Sequence, residues 1–373
     1  MKINIIGGGP AGLYSAVYLK QRAPSYDVDV FEKAPYSQEG GIGYTLHQKV
    51  IDAISLIDPE VIRRLSPKLA PKWKFSTADI GTALLPFAKS GGLMGIRRSE
   101  LIKYLRDLAS ISGANIHYGV RVLPEDVEAY REECDVIVGA DGMNSSIRQK
   151  YQHELGAKTF ESTNSYIWLA LKNPPKTMNR RIAEREGNVF MVHSYPVGAS
   201  VGSVIVECTQ EGIKRQNFGE VNDDGTVSSG ELKRLEDILN SRFSKFSLES
   251  VRSRWTRSTI NFSTRLSFEN VALVGEAAFS VHYTSGAGLV NALNYAKDLS
   301  DALLSNRNPA SALSDYNSKG FAFMRMVRAA NTELSLLEKM DSIYLASGAK
   351  NFIDVLFTKQ NQTNNNEKSQ KRD

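Results

Sequence analysis

The chain has 373 residues, 42% of them hydrophobic, enough for a packed core in one large domain or two or three smaller ones. Its formal charge of +5 comes from 46 basic and 41 acidic residues with no basic run or aromatic-interleaved patch, which argues against a nucleic-acid partner. Cys134 and Cys208 form no C-x-x-C pair, and His47, His117, His153, His193 and His282 form no H-E-x-x-H, so neither a disulfide framework nor a metal site is expected.

The apolar run at 3–6 predicts a first strand at the very start, leaving no room for a signal peptide. No apolar stretch of about 18 residues predicts a membrane span, so a cytoplasmic protein without a membrane partner is the expectation. Gly7, Gly9 and Gly12 follow in G-x-G-x-x-G spacing, with Pro10 and Ala11 between them. Leu13, Ala16, Val17 and Leu19 then recur at helical period, and a second strand-like run at 28–31 ends at Glu32 and Lys33. Each part has a physical task. The first glycine permits a tight turn, the second lets backbone approach a pyrophosphate, and the third lets helix pack closely on strand. The helix N-terminus offers free N–H groups to the phosphates. Glu32, twenty residues after Gly12, can accept hydrogen bonds from a ribose, which predicts FAD or NAD rather than NADP.

Further along, Gly40, Gly41 and Gly43 form a second glycine cluster, readable as a surface loop or as a close-approach site. Residues 48–65 read as a helix pair broken at Asp58-Pro59, and 70–96 as strands and loops. Ser99 is the expected N-cap of a helix that carries Leu101, Ile102, Leu105 and Leu108. Strands are expected at 115–122 and 135–138, the latter running into Gly139-Ala140-Asp141-Gly142 and a helix start up to Arg148. From 159 to 258 the character changes to apolar, β-branched runs at 166–171, 189–192 and 201–206 separated by turns, then a helix at 232–243. A strand at 271–274 ends in Gly275-Glu276-Ala277-Ala278. Thr284-Ser285-Gly286-Ala287-Gly288 then opens a helix at 289–304. Three separated segments thus end a strand in a small-residue turn before a helix. One cofactor touched from three places explains that better than three separate sites. Helices are expected at 313–357 and a polar, disordered tail at 359–373.

Together these motifs resemble the single-component FAD-dependent aromatic hydroxylases, the p-hydroxybenzoate hydroxylase-like superfamily. The family's fingerprint maps onto Gly7, Gly9, Gly12 and Glu32; its Arg-x-x-Leu helix entry onto Arg98 and Leu101; its Asp-Gly motif onto Asp141, Gly142 and Arg148; its late Gly-Asp motif onto Gly275 and Glu276. The late segment His282-Tyr283-Thr284-Ser285-Gly286-Ala287-Gly288 is similar to a smaller group that includes the violacein-pathway hydroxylase and the salicylyl- and aminobenzoyl-CoA hydroxylases. Glu276 departs from the family's aspartate by one methylene, and Phe279 stands where many members have histidine.

The resemblance implies an α/β fold: a Rossmann-like FAD-binding domain (1–158 and 259–358, the latter including C-terminal helices) with an inserted β-sheet substrate domain (159–258). It implies FAD, NADH or NADPH as electron donor and O₂ as co-substrate, with a flavin C4a-hydroperoxide delivering oxygen to an aromatic small molecule in a monomer or homodimer. The cofactor-binding candidates are Gly7, Gly9, Pro10, Ala11, Gly12, Glu32, Lys33, Arg98, Asp141, Gly142, Gly275, Glu276, Gly286 and Gly288. The catalytic candidate is His282, and the substrate-pocket candidates are His193, His282 and Tyr283. An indole or tryptophan-derived substrate is expected. The alternative is an aromatic CoA thioester, for which Lys68, Lys72, Lys74, Arg97 and Arg98 offer positive charge. The rival readings are an FAD-dependent oxidoreductase without oxygen insertion and a non-catalytic flavin-binding protein.

Overall fold

The computed structural model describes residues 1–36, 41–79, 84–242 and 244–318. Gly40, the helices expected beyond 318 and the expected disordered tail lie outside them. Within the described residues the chain forms two compact units. The first is built from Met1–Lys72, Gly91–Glu161 and the chain from Thr259 onward, the second from Trp73–Ser90 and Ser162–Ser258.

The first unit is organised on a six-stranded sheet with Lys2–Ile6 near its middle. That strand pairs in parallel with Asp27–Glu32 on one side and Val136–Gly139 on the other. Asn115–Tyr118 extends the first side and Val271–Leu273 the second, both parallel, and the short Ser267–Phe268 closes the edge antiparallel. Parallel strands lie under helices on both faces and therefore carry unbroken apolar runs. Ile3, Ile5 and Ile6, and Val136, Ile137 and Val138, are accordingly all buried. Pro10 opens the first helix, Pro10–Arg22, at a position where its missing N–H costs nothing. That helix packs against Arg98–Ile111 and Gly288–Ser305.

Local expectations meet the structure with a few shifts. The broken helix pair is Gln48–Ser55 and Val61–Leu65. Asn115–Tyr118 stops short of the expected 122 because Gly119 turns the chain at φ +73°. The helix after Ile96 begins at Arg98, so Arg97, not Ser99, occupies the N-cap position, and no side chain caps it.

The second unit is a mostly antiparallel sheet in the order Leu248–Glu249, Ala157–Leu171, Gly202–Cys208, Asn188–Pro196, Asn179–Arg185, Trp73–Asp79. One face carries the core, where Ile167, Leu169, Phe190, Val192, Val204 and Val206 meet Leu232 and Leu235 of the helix Ser229–Leu239. Ser228 caps that helix by accepting a hydrogen bond from the Glu231 N–H at 3.1 Å. Two members stand apart from the sequence reading, one as a strand and one in its place. Asn179–Arg185 is rich in charge, and Trp73–Asp79, which sequence reading kept with the first unit, pairs with it in parallel. A buried ion pair between Arg181 and Asp79 (3.1 Å) joins these two strands.

Candidate functional site

Three strands of the first unit end side by side at one edge of the sheet, each in a turn of small residues. Ile6 runs into Gly7, Gly139 into Ala140 and Asp141, and Leu273 into Val274 and Gly275. Ala140 N–H donates to the Ile6 carbonyl at 2.8 Å and Val274 N–H to the Gly139 carbonyl at 2.9 Å. Ligand crevices of open α/β sheets lie outside this carboxyl edge.

The glycines divide by what surrounds them. Gly7 has φ +113°, and a Cβ on it would lie 2.3 Å from the Ala140 carbonyl oxygen. A Cβ on Gly12 would lie 2.0 Å from the Gly7 carbonyl oxygen. Both are required for strand, turn and helix to approach. Gly9 differs, because a Cβ there would meet nothing within 4 Å. Gly9 therefore leaves open space in front of a helix N-terminus that no side chain caps. Bare N–H groups and the positive end of the helix dipole suit a pyrophosphate in that space. Ala11 meets the late motif, since a Cβ on Gly275 would lie 2.9 Å from its side chain.

A cleft of about 370 Å³ opens here, lined among others by Gly8, Gly9, Glu32, Lys33, Arg98 and Arg106. Glu32 is fixed by backbone, its two carboxylate oxygens accepting from Gly8 N–H and Ala34 N–H at 2.7 Å each. Each oxygen keeps a second lone pair for a ligand hydroxyl. Sequence reasoning missed Arg106, whose guanidinium stacks 4.3 Å above the Tyr36 ring, and Tyr118, which also lines the cleft. Helical spacing could have found it: Arg98, Ile102 and Arg106 stand four apart and share one helix face, and all three line the cleft.

Asp141 accepts from Ser146 N–H at 2.6 Å, and its other carboxylate oxygen has no hydrogen-bond partner. Burial pushes its carboxyl above the usual carboxylate range, against those hydrogen bonds. Gly142, at φ +80°, leaves open space beside it. Arg148 is buried and donates to the carbonyls of Ala277 (2.9 Å), Glu276 (3.4 Å) and Met143. It thereby clamps the Asp-Gly turn to the late motif. Burial lowers its pKa, with Asp141 opposing.

Glu276 follows at the end of its strand. Its carboxylate is open to water yet surrounded closely enough that desolvation raises its pKa, with Arg98 pulling the other way. A concave protein wall gives that combination. Tyr44 completes the group: the Arg98 guanidinium lies 5.5 Å from its ring centroid, and both Arg98 and Glu276 act on its phenol. Gly41, of the second glycine cluster, lies against Arg98, where a Cβ would come within 2.7 Å of that side chain.

Beyond them a short turn, Tyr283–Ser285, ends in Gly286 in the left-handed region, and helix Gly288–Ser305 starts with no side-chain cap. His47 reaches the Gly286 carbonyl through Nε2 at 3.4 Å, a contact no sequence signal announced. His282 is fully buried, its Nδ1 lies 2.9 Å from the Thr284 hydroxyl, and its ring packs on Tyr283 with centroids 4.4 Å apart. Burial pushes its imidazole down to about 3, so it is neutral at physiological pH. His193 belongs to the second unit, buried on Asn188–Pro196 between Arg180 and Ile205 in register. Phe279 is buried and packs in the core, as its apolar ring dictates. Among the described residues no cluster could hold a metal ion, and no helix is long and apolar enough to cross a membrane.

Residues 94–330 match the FAD binding domain family, and residues 5–45 match the NAD(P)-binding Rossmann-like domain. The first match alone spans more than half of the chain. The chain belongs to the family of FAD-dependent aromatic hydroxylases. It is 26% identical to the salicyloyl-CoA 5-hydroxylase of a Streptomyces species over 81% of its length, spanning 58% of that longer protein. It is also 26% identical to the protodeoxyviolaceinate monooxygenase of Chromobacterium violaceum, over 88% of this chain and 86% of that one. Its fold is that of 2-methyl-3-hydroxypyridine-5-carboxylic acid oxygenase, with a TM-score of 0.64 at 18% identity over 92% and 91% of the two chains. The geometry of the first unit fits FAD: a close-packed turn, open space at Gly9, a fixed carboxylate at Glu32 and a cationic wall at Arg98.

Proposed function

We propose that the protein is an FAD-dependent monooxygenase that takes two electrons from NADH or NADPH and inserts one atom of O₂ into an aromatic ring. The balance is ArH + NAD(P)H + H⁺ + O₂ giving ArOH + NAD(P)⁺ + H₂O. The observation that carries this reading is the meeting of the fingerprint turn, Asp141 and Glu276 at one sheet edge, beside a cleft walled by Glu32 and Arg98. FAD, when bound, supplies the electron transfer and the activation of oxygen.

The chain's own residues bind and orient. Gly9 and the N-terminus of Pro10–Arg22 hold the pyrophosphate, with Pro10 and Ala11 setting that first turn. Glu32 accepts from the ribose hydroxyls, and Lys33 stands beside it. Arg98 supplies positive charge to the phosphates, and Asp141 and Gly142 face the same region. Glu276 accepts a hydrogen bond from the ribityl chain across the extra methylene. Gly286, whose own N–H donates to the Tyr283 carbonyl at 3.1 Å, shapes the turn, and the uncapped helix start at Gly288 directs its N–H groups at negative charge on the ring. Tyr283, half-buried, is the ring of this pair that can face an aromatic substrate, and behind it packs His282, fully buried, held neutral by burial and fixed by Thr284. His282 orients rather than donates a proton as imidazolium. His193 is kept as a candidate within the second unit alone.

An indole or tryptophan-derived substrate is the favoured class. What supports it is the correspondence with the protodeoxyviolaceinate monooxygenase over 88% of this chain and 86% of that protein. An aromatic CoA thioester is the second reading, motivated by the salicyloyl-CoA relative.

The test is a visible spectrum of the purified protein, followed by NADH and NADPH oxidation and O₂ uptake with indoles, phenols and aryl-CoA esters. A yellow protein whose consumption rises with one aromatic, yielding a product heavier by one oxygen atom, supports the proposal and names the substrate class. Reductant consumption without O₂ would instead mark an oxidoreductase that inserts no oxygen. A yellow protein inert to every donor would mark a flavin-binding protein. A protein that cannot be loaded with FAD overturns the reading.

A further inference from the structure

The strand Gly43–Leu46 pairs antiparallel with the strand that leads into Arg98, Gly43 opposite Arg97 and Leu46 opposite Met94. It runs into the helix Gln48–Ser55, which packs along Gly288–Ser305. His47 stands at the junction, in the N-cap position. Its carbonyl accepts from Val50 N–H at 2.9 Å, but its side chain caps nothing in that helix. The imidazole instead reaches across to the late motif, where Nε2 lies 3.4 Å from the Gly286 carbonyl oxygen. A carbonyl only accepts, so the proton of this bond is on Nε2. Burial and Lys49 push the imidazole pKa down, with the bond to Gly286 opposing, so at neutral pH the ring donates as an uncharged group.

The contact matters because of what it holds. The turn Tyr283–Ser285 is closed by its own atoms: Gly286 N–H donates to the Tyr283 carbonyl at 3.1 Å, and Ala287 N–H to the Ser285 hydroxyl at 3.2 Å. Ser285 and Gly286 are exposed, and a Cβ on Gly286 or Gly288 would meet nothing within 4 Å, so no packing at these glycines fixes the stretch. Directly after it come the first N–H groups of Gly288–Ser305, which have no acceptor within their own helix. A tie on the Gly286 carbonyl therefore sets the direction in which those donors point. We propose that His47 is a positioning residue: by holding the Gly286 carbonyl it keeps the start of Gly288–Ser305 aimed at the negative charge of the reduced flavin ring. The inference rests on the proposed flavin site, and His47 acts through Gly286, not on the flavin itself.

The test compares wild type, His47→Ala, His47→Asn and His47→Gln. Asparagine is a good N-cap, so His47→Asn keeps Gln48–Ser55 folded while its amide is too short to reach Gly286. Glutamine restores an N–H donor about where Nε2 stands. The first readout is the two-electron midpoint potential of the bound flavin, measured by equilibrium reduction against a reference dye. A neutral hydrogen bond contributes a factor of about two to ten. Loss of the tie should weaken the hold on reduced flavin, relative to oxidised flavin, by up to that factor. The potentials of His47→Ala and His47→Asn should then fall by about 10–30 mV, and His47→Gln should return most of the loss. The second readout needs no flavin. Amide exchange over residues 284–291 of the flavin-free protein should quicken about two- to tenfold in His47→Ala and His47→Asn, but not in His47→Gln. Wild-type potentials in His47→Ala and His47→Asn, or an equal fall in all three variants, overturn the inference. Unchanged amide exchange in His47→Asn does the same. A wild type that takes up no FAD sinks this inference together with the proposed function. One that takes up FAD but hydroxylates no aromatic sinks the proposed activity alone, and the potentials still decide the role of His47.

Discussion

Gly12 and Gly9 belong to one fingerprint but should fail differently when given a methyl group. In Gly12→Ala the new Cβ would lie 2.0 Å from the Gly7 carbonyl oxygen, 3.1 Å from Ile5 and 3.2 Å from Ala140, where ordinary contact begins near 3.4 Å. Helix Pro10–Arg22 must move off the sheet by about 1 Å, and such overpacking costs about 1–3 kcal/mol. The gain from alanine over glycine in a helix returns ~1 kcal/mol at most. The flavin-free protein should therefore melt several degrees lower, at about 2–4 °C per kcal/mol for a unit of this size. Gly9→Ala meets nothing within 4 Å, and Gly9 has φ −79°, which alanine adopts freely. Its melting temperature without flavin should match wild type, while its FAD affinity should fall by at least tenfold, about 1.4 kcal/mol, because the methyl group occupies the space kept for phosphate. The assay is a pair of thermal melts, with and without saturating FAD, beside a fluorescence titration. A Gly9→Ala protein that melts like Gly12→Ala, or that binds FAD as wild type does, refutes the division of the motif into packing and ligand-facing glycines.

Other outcomes follow from the same geometry. Glu32→Gln replaces one of the two carboxylate acceptors with a donor facing the Gly8 or Ala34 N–H, and leaving such a donor unsatisfied costs about 1–3 kcal/mol. Chemical denaturation should show that loss, and flavin release should quicken. Arg148→Met removes the donors to the Ala277, Glu276 and Met143 carbonyls, so a loss of about 2–4 kcal/mol is expected. Unchanged stability in that variant would count against the clamp. His282 supplies a pH dependence with a definite sign. Burial holds its folded-state pKa near 3, below the ordinary ~6.5, so the neutral ring's contribution is complete above about pH 6.5 and is lost as pH falls toward 3. At ~1.4 kcal/mol per pH unit, wild type should lose about 2 kcal/mol more than His282→Gln between pH 7 and 5. Parallel urea midpoints for the two proteins across that range would contradict it.

The first sheet was legible because its demands are local. An apolar run before glycines at fixed spacing, a helical pattern after them and an acid at the next strand end are dictated by residues close in sequence. The second unit was less so. Trp73–Asp79 pairs in parallel with Asn179–Arg185, a strand about a hundred residues further along the chain. Long-range strand pairing leaves no local mark. Asn179–Arg185 hid for a related reason. Its charged residues give no apolar run, yet Ile182 and Ala183 are buried and Arg181 is paired with Asp79, a partner about a hundred residues away in sequence.

The site shows the same division between what neighbours dictate and what the fold assembles. Gly7, Gly12 and Glu32 are readable because each satisfies a backbone need on its own strand or turn. Arg98 and Glu276 are readable only as members of ordered motifs, because the field between them, with Tyr44, exists only once three segments meet. Arg148 explains why those segments keep their spacing. A side chain that could have been a ligand instead spends its donors on carbonyls of both the Asp-Gly turn and the late motif. The positive charge lining the cleft then comes from Lys33 and from Arg98 and Arg106, eight residues apart on one helix.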